Sequence, residues 1–259
     1  MTEWNARAYH EQSSLQKALA DENLAKLALK GDERVLDLGC GDGKITAEIA
    51  AHLPRGSVLG VDPSHDMIAF ASRNYSQANL RFEVGDARTL PYRNEFDLVI
   101  SFNALHWVRE QDAALRSIRA GLKPHGRTHI QFVPDTGRPS LEDVIEQTRR
   151  QAPWNAHFAD FEKPFAHFTP EQYRALAEQN GLRVIRIETT EHAWDFHTPT
   201  AFADFCRATF VEWTRRLPEE KRSDFIEDVL ERYRAVAAWT KEEENTFKFA
   251  QLEVVLTPA

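Results

Sequence analysis

The sequence predicts an α/β fold: a mostly parallel sheet with helices on both faces. Three observations carry it. Residues 35–50 read as a short apolar strand, a turn with glycine at alternate positions, and a helix. As far as residue 133, strand-like apolar segments alternate with helical ones, an order that calls for crossovers and a parallel sheet. At 259 residues with 42% hydrophobic content, the chain can bury one large core but is short for two independent ones.

Residues 2–29 begin polar and become helical, with Trp4 and Tyr9 ahead of a Ser13-Ser14-Leu15-Gln16-Lys17 stretch and with Leu19, Leu24, Leu27 and Ala28 at helical spacing. The plain reading of Trp4 and Tyr9 is aromatic clamps onto the core. Gly31-Asp32 marks the stop. Val35, Leu36 and Leu38 then form the first strand, and Ile45, Ile49 and Ala50 continue as a helix. Between them, Gly39, Gly41 and Gly43 permit a sharp turn and close backbone approach to a ligand. Strand, glycine turn and helix is how α/β sheets hold nucleotide-like molecules.

The details of that turn select the ligand. A dinucleotide site wants Gly-x-Gly-x-x-Gly; here Lys44 stands at the third position, so a hydride-transfer enzyme is a poor fit. Asp37 lies in the strand just before the loop, where a carboxylate repels a diphosphate but suits a cation. S-adenosyl-L-methionine, with an ammonium, a sulfonium and no phosphate, fits. Cys40 sits inside the loop, where a small apolar residue suffices.

Residues 58–62 are the second strand. Asp62 falls about 20 residues past the loop, where an acidic side chain accepts from ribose hydroxyls. Pro63 and Ser64 open a helix, with Ser64 as cap and Met67 placed to pack on adenine. Residues 80–87 read as the third strand, ending in Asp86-Ala87. Phe96 to Phe102 is the fourth and runs into Asn103-Ala104-Leu105-His106-Trp107-Val108, at the sheet edge where ligands bind. A helix over 113–122 stops at Lys123-Pro124-His125-Gly126, and 127–133 is the fifth strand.

Beyond Pro134 the rhythm changes. Residues 139–151 are helical, and 153–168 are aromatic-rich and irregular. Thr169-Pro170-Glu171-Gln172 is a capping box opening a helix that ends near Gly181. A strand over 182–194, two or three helices over 198–239 and a last strand over 246–256 complete the chain. Phe158, Phe161, Phe165, Phe168, Trp194, Phe196 and Trp213 suggest an apolar pocket under a helical lid.

The net charge of −8 argues against a nucleic-acid surface. Two distant cysteines, Cys40 and Cys206, give neither a zinc site nor a disulfide framework, so no metal is expected. No basic-then-apolar leader and no bilayer-length apolar run is present, so a cytoplasmic protein without membrane attachment is expected. The expected oligomeric state is a monomer or a weak homodimer.

Asp-Leu-Gly-Cys-Gly-Asp-Gly at 37–43, supported by Asp62, Asp86 and the fourth-strand exit, resembles the first motif of class I methyltransferases over roughly residues 31–133. The resemblance implies a Rossmann-like seven-stranded sheet with an antiparallel last strand. It implies one domain over 1–259: a helical cap at 1–30, a cofactor core at 31–133 and lid insertions within 134–245. It also implies that Asp86 accepts from the adenine amine while the Ala87 N–H contacts the ring. Asn103 joins Tyr9, Asp37, Gly39, Cys40, Gly41, Asp62, Pro63 and Met67 as cofactor-binding candidates.

The N-terminal Tyr…Ser-Leu-Gln stretch and Leu105-His106-Trp107 are similar to those of small-molecule carboxyl methyltransferases, typified by the juvenile hormone acid and trans-aconitate enzymes. That resemblance implies a methyl ester product from a small organic or fatty-acid-like acid, with Gln16 and Trp107 gripping the carboxylate. Both are neutral donors. A carboxylate needs no base, and positioning alone supplies roughly 7–11 kcal/mol of barrier lowering. Tyr9 is placed to favour the sulfonium through its ring face. Alternatively, His106 is a general base for an amine or hydroxyl acceptor. The remaining alternatives are that Gln16, His106 and Trp107 are structural, or that the chain binds cofactor without turnover.

Overall fold

The computed structural model describes Ala6, His10 and residues 14–238 and 240–259; the side chains of residues 14, 16–18, 20 and 21 lie outside the described residues. Helix α1 (Ser14–Lys26) precedes β1 (Arg34–Leu38), α2 (Lys44–Ala51), β2 (Ser57–Asp62), α3 (His65–Asn74), β3 (Leu80–Val84) and β4 (Phe96–Phe102). A single 3-10 turn (Leu105–Trp107) leads to α4 (Gln111–Gly121), β5 (Leu122–Phe132), α5 (Leu141–Arg149), α6 (Pro170–Gln179) and β6 (Leu182–Asp195). Helices α7 (Pro199–Thr209), α8 (Val211–Thr214) and α9 (Glu219–Ala237) then precede β7 (Thr246–Pro258).

The seven strands form one sheet in the order β3-β2-β1-β4-β5-β7-β6. Strands β1 to β5 pair in parallel, and β7 runs antiparallel to both β5 and β6. The chain winds outward from β1 through β2 to β3, then returns to the other side of β1 as β4. That reversal opens a crevice at the carboxyl ends of β1 and β4, where α/β sheets bind ligands.

Side chains alternate across β1. Leu36 and Leu38 join Leu115 and Ile118 of α4 and Tyr173 of α6 in one core. Val35 packs on the opposite face with Ala47, Ile49 and Ala50 of α2. A third core, rich in aromatics, joins Leu15 and Leu19 of α1 to α5, α7 and α9 over Phe247 and Phe249 of β7.

Two boundaries differ from the sequence reading. Strand β3 stops at Val84: after a last bond from the Gly85 N–H to the Asp62 carbonyl at 3.1 Å the chain turns, the Thr89 N–H donating to the Asp86 carbonyl at 3.0 Å, which leaves Asp86 and Ala87 in a loop. Strand β5 starts at Leu122, directly after α4, so residues 123–126 lie within it instead of forming a separate turn. Phe96 pairs with Leu122 and Leu98 with Arg127. The residues between bulge out of the ladder, the place where Pro124, lacking an N–H, is tolerated.

Local capping chemistry came out as expected. Thr169 and Gln172 cap α6 reciprocally, and the Ser64 hydroxyl accepts from the Met67 N–H at the start of α3. Of the aromatics expected to line a pocket, Phe158 and Phe165 are core, Phe161, Trp194 and Phe196 pack against it, and Phe168 joins the α4–α6 core. Only Trp213 among them lines the cavity.

Candidate active site

A cavity of about 450 Å³ opens at the carboxyl ends of β1 and β4. One part is lined by the glycine loop and the ends of β2 and β3, the other by α1, α5, α7 and β7. Gly39, Gly41, Asp62, Pro63, Met67, Asp86, Ala87, Asn103, His106 and Trp107, all singled out in the sequence, line it together.

The loop's own hydrogen bonds shape this wall. The Gly39 N–H donates to the Val61 carbonyl at 2.8 Å, folding β1's exit onto the end of β2. Gly39 has φ +75°, and a Cβ there would lie 2.1 Å from the Ala104 Cβ. Only glycine lets the exits of β1 and β4 approach this closely. Gly41 has φ +54° and open space where a side chain would stand.

Asp62 Oδ2 accepts from the Gly41 N–H at 3.0 Å and Oδ1 from the Ser64 N–H at 2.9 Å. These bonds fix the carboxylate at the end of β2, on the cavity wall. Asp86 is gripped by Arg88, whose Nε lies 2.9 and 3.0 Å from its two oxygens. That guanidinium holds the Asp86 carboxyl below its ordinary range and reaches on to Glu110 at 2.9 Å. Arg88 and Glu110 also line the cavity and had no signal in the sequence beyond the Asp-x-Arg spacing.

Asp37 and Cys40 do not line the cavity. Strand alternation turns Asp37 away from Leu36 and Leu38 and under α2, where its carboxylate accepts from the Thr46 hydroxyl at 2.7 Å. The Cys40 sulfur is buried toward Gly60. Both residues are adjacent to the loop in sequence, but their side chains pack behind the cavity wall. Burial pushes the Asp37 carboxyl up to about 7; the Thr46 bond opposes this and nearby Asp62 adds to it.

That shift has a measurable consequence. Between about pH 4 and 7 the folded chain holds a proton on Asp37 that the unfolded chain releases, so stability falls as pH rises through this window. The slope from this one group approaches about 1.4 kcal/mol per pH unit. Asp37→Asn keeps an acceptor for Thr46 and removes the titration. Thermal melts from pH 5 to 8 are expected to decline less steeply for the variant; parallel pH profiles would contradict the assignment.

The 3-10 turn after β4 carries His106 and Trp107. The buried Gln111 side chain ties it shut, donating to the carbonyls of Leu105 and, at 2.7 Å, Val108. Trp107 packs edge-on against Trp213 at 5.9 Å and Phe165 at 6.2 Å. His106 is buried beside Trp107, with ring centroids 4.9 Å apart, and its Nδ1 has no hydrogen-bond partner among the described residues. Burial, with a smaller contribution from His167, holds the His106 imidazole well below its ordinary pKa. Asn103 adopts φ 54°, and its side-chain oxygen accepts from Gln251 at 2.9 Å.

Toward the N-terminus, His10 Nδ1 lies 2.7 Å from Asp42 in the glycine turn, and the Ala6 N–H donates to Asp66 of α3 at 3.3 Å. The N-terminal segment thus reaches the loop and α3. Tyr9 and the side chain of Gln16 lie outside the described residues. The sequence offered no signal for the far wall, where Leu15, Phe205, Phe210, Phe247, Phe249 and Glu142 converge.

Fold and cavity together define a class of protein. The chain belongs to the class I S-adenosylmethionine-dependent methyltransferases, whose methyltransferase-domain family matches residues 35–126. It is an enzyme of that class, and its cofactor is S-adenosyl-L-methionine. It is 36% identical to a trans-aconitate 2-methyltransferase of Deinococcus radiodurans over 215 residues, 82% of this chain and 79% of that one. It is 32% identical to the juvenile hormone acid O-methyltransferase of Bombyx mori over 197 residues, 71% of this chain and 70% of that one. In fold it is similar to a phosphoethanolamine N-methyltransferase of Haemonchus contortus in complex with S-adenosyl-L-methionine. That similarity has a TM-score of 0.63 at 17% identity and covers 98% of this chain and 57% of that one. Among the described residues, no helix is long and apolar enough to cross a membrane.

Proposed function

We propose that this enzyme methylates the carboxylate of a small organic or fatty-acid-like acid to give a methyl ester, within a single domain spanning 1–259. The observation that carries this reading is the state of His106. A general base needs a partner that orients it and stabilises its protonated form. The His106 Nδ1 has no such partner among the described residues, and burial disfavours the charged ring. A carboxylate acceptor, already ionised at neutral pH, requires no base. Both relatives named above act, by name, on acids.

The cavity chemistry fits the cofactor. The hydrogen-bond acceptors Asp62 and Asp86 and the open space beside Gly41 suit the hydroxyls and amine of a nucleoside. S-adenosylmethionine, when bound, supplies a methyl on a sulfonium; its passage to a carboxylate oxygen leaves the C–S electron pair on sulfur and releases no proton. In this reading Asp62 accepts from the ribose, Asp86 and the Ala87 N–H bind adenine, and Met67 and Pro63 pack beside the ring. Gly39 and Asn103 complete the cofactor wall. Trp107 and Gln16 orient the acceptor carboxylate, Tyr9 faces the sulfonium, and the α5 and α7–α9 region covers the acceptor.

The test separates a carboxylate from an acceptor that must lose a proton. His106→Ala is expected to change turnover by less than about threefold, and the wild-type rate should stay flat from about pH 6 to 8. Trp107→Phe should slow turnover through lost orientation. A His106→Ala enzyme slowed by roughly 10²–10⁴-fold while still binding cofactor normally in calorimetry would instead make His106 the base.

A further inference from the structure

We propose that the acceptor part of the cavity selects monocarboxylic acids with an apolar body and rejects di- and tricarboxylates, with Glu142 as a specificity-determining residue. The proposal rests on the carboxylate reading above and names the acid it takes.

The charge inventory of the cavity is lopsided. Its carboxylates are Asp62, Asp86, Glu110, Glu142 and Glu212; among the described residues its cations are Arg88 and Arg109. Both arginines are already committed. Arg88 bonds Asp86 and Glu110, and Arg109 is ion-paired with Glu162 at the rim. One acceptor carboxylate finds its countercharge in the cofactor's sulfonium. A second or third finds no uncommitted cation among the described residues.

Apart from Thr209, whose hydroxyl already donates to the Phe205 carbonyl at 2.9 Å, the remaining wall on this side is apolar. Leu15, Leu19, Val133, Phe205, Phe210 and Phe249 line it, each at most 9% exposed. Such a surface rewards alkyl carbon, and these side chains offer no hydrogen bond to a further carboxylate.

Two acidic side chains stand within this wall. Glu212 is paired with Arg215 at 2.8 Å. Glu142, in the first turn of α5, lines the cavity half-buried and makes no hydrogen bond or ion pair with a described residue. A fixed negative charge beside an apolar pocket is a repulsive element: it costs an apolar tail little and a polyacid much. Identity to trans-aconitate enzymes therefore does not transfer their tricarboxylate to this cavity.

The experiment offers the full-length enzyme decanoate, trans-aconitate and tyramine with S-adenosylmethionine, reading methylated products by mass spectrometry. In parallel, calorimetry measures each acceptor against the complex with S-adenosylhomocysteine. The expected result is methyl decanoate formed with kcat/KM at least about 100-fold above that for trans-aconitate, and calorimetric binding of decanoate alone. Glu142→Arg should cut that preference at least tenfold, chiefly by tightening trans-aconitate. Turnover or binding of trans-aconitate equal to or better than decanoate overturns the selectivity and leaves the carboxylate reading standing. An unchanged preference in Glu142→Arg removes Glu142 from the explanation. Methylation of tyramine with neither acid bound overturns the carboxylate reading itself, and this proposal with it.

Discussion

Trp213→Ala is expected to lower the unfolding free energy by about 3–5 kcal/mol and the melting midpoint by roughly 10 °C. Trp213 is fully buried, the largest side chain with that property among the described residues. Its ring packs 5.9 Å from Trp107, 6.2 Å from Phe165 and 6.3 Å from Phe210, so one truncation removes packing from α8, the 3-10 turn and the 153–168 segment together. Its Nε1 also donates to Glu146 Oε1 at 2.8 Å. Glu146 remains paired with Arg149 at 2.7 Å after the truncation, so the main cost is the void rather than an orphaned charge. Trp213→Phe keeps most of the volume and loses a donor to a carboxylate, for about 1.5–3 kcal/mol. Urea denaturation of both variants checks the pair. A loss below about 1 kcal/mol for alanine would mean that α7 to α9 close over the gap without it.

Gly39→Ala should strike the proposed cofactor wall, where Gly39 lines the cavity. Two penalties coincide there. Alanine at φ +75° is strained, and its Cβ would come within 2.1 Å of the Ala104 Cβ, a separation no packed pair tolerates. The loop or the β4 exit has to move, taking Gly41, Asp62 or the His106-Trp107 turn out of place. Strain of about 1–3 kcal/mol at such a site corresponds to a loss of cofactor affinity between about 5- and 150-fold. Calorimetry with S-adenosylhomocysteine measures it directly. Adding Ala104→Gly should recover part of the loss, because it removes the clash and leaves the unfavourable φ. Full affinity in the single variant would show that the exits of β1 and β4 are not held together by this contact.

Much of the cavity wall at the strand ends was legible because it is local. The glycine turn, Asp62, Pro63, Met67, Asp86 and Ala87 each sit within a few residues of a strand end, and a parallel sheet delivers strand ends to one edge. Five alternating strands and helices were enough to predict that edge and the order of crossovers. The helix starts at Ser64 and Thr169 were equally readable, since a cap depends on three or four consecutive residues.

What the sequence determined, then, is the α/β class, the parallel core, the glycine turn and the acidic residues around it, all encoded in short-range pattern. Tertiary structure decided the rest. It turned Asp37 under α2 and, by desolvating it, moved its titration toward neutrality. It bound Asp86 to Arg88 and Glu110, brought the bulge of residues 123–126 into β5, and buried His106 without a partner for Nδ1 among the described residues. It also assembled the far wall of the cavity from Leu15, Glu142, Phe205, Phe210, Trp213 and Phe249, which no short window contains. These properties come from which side chains meet across long chain separations and how much water they exclude, and local spacing carries neither.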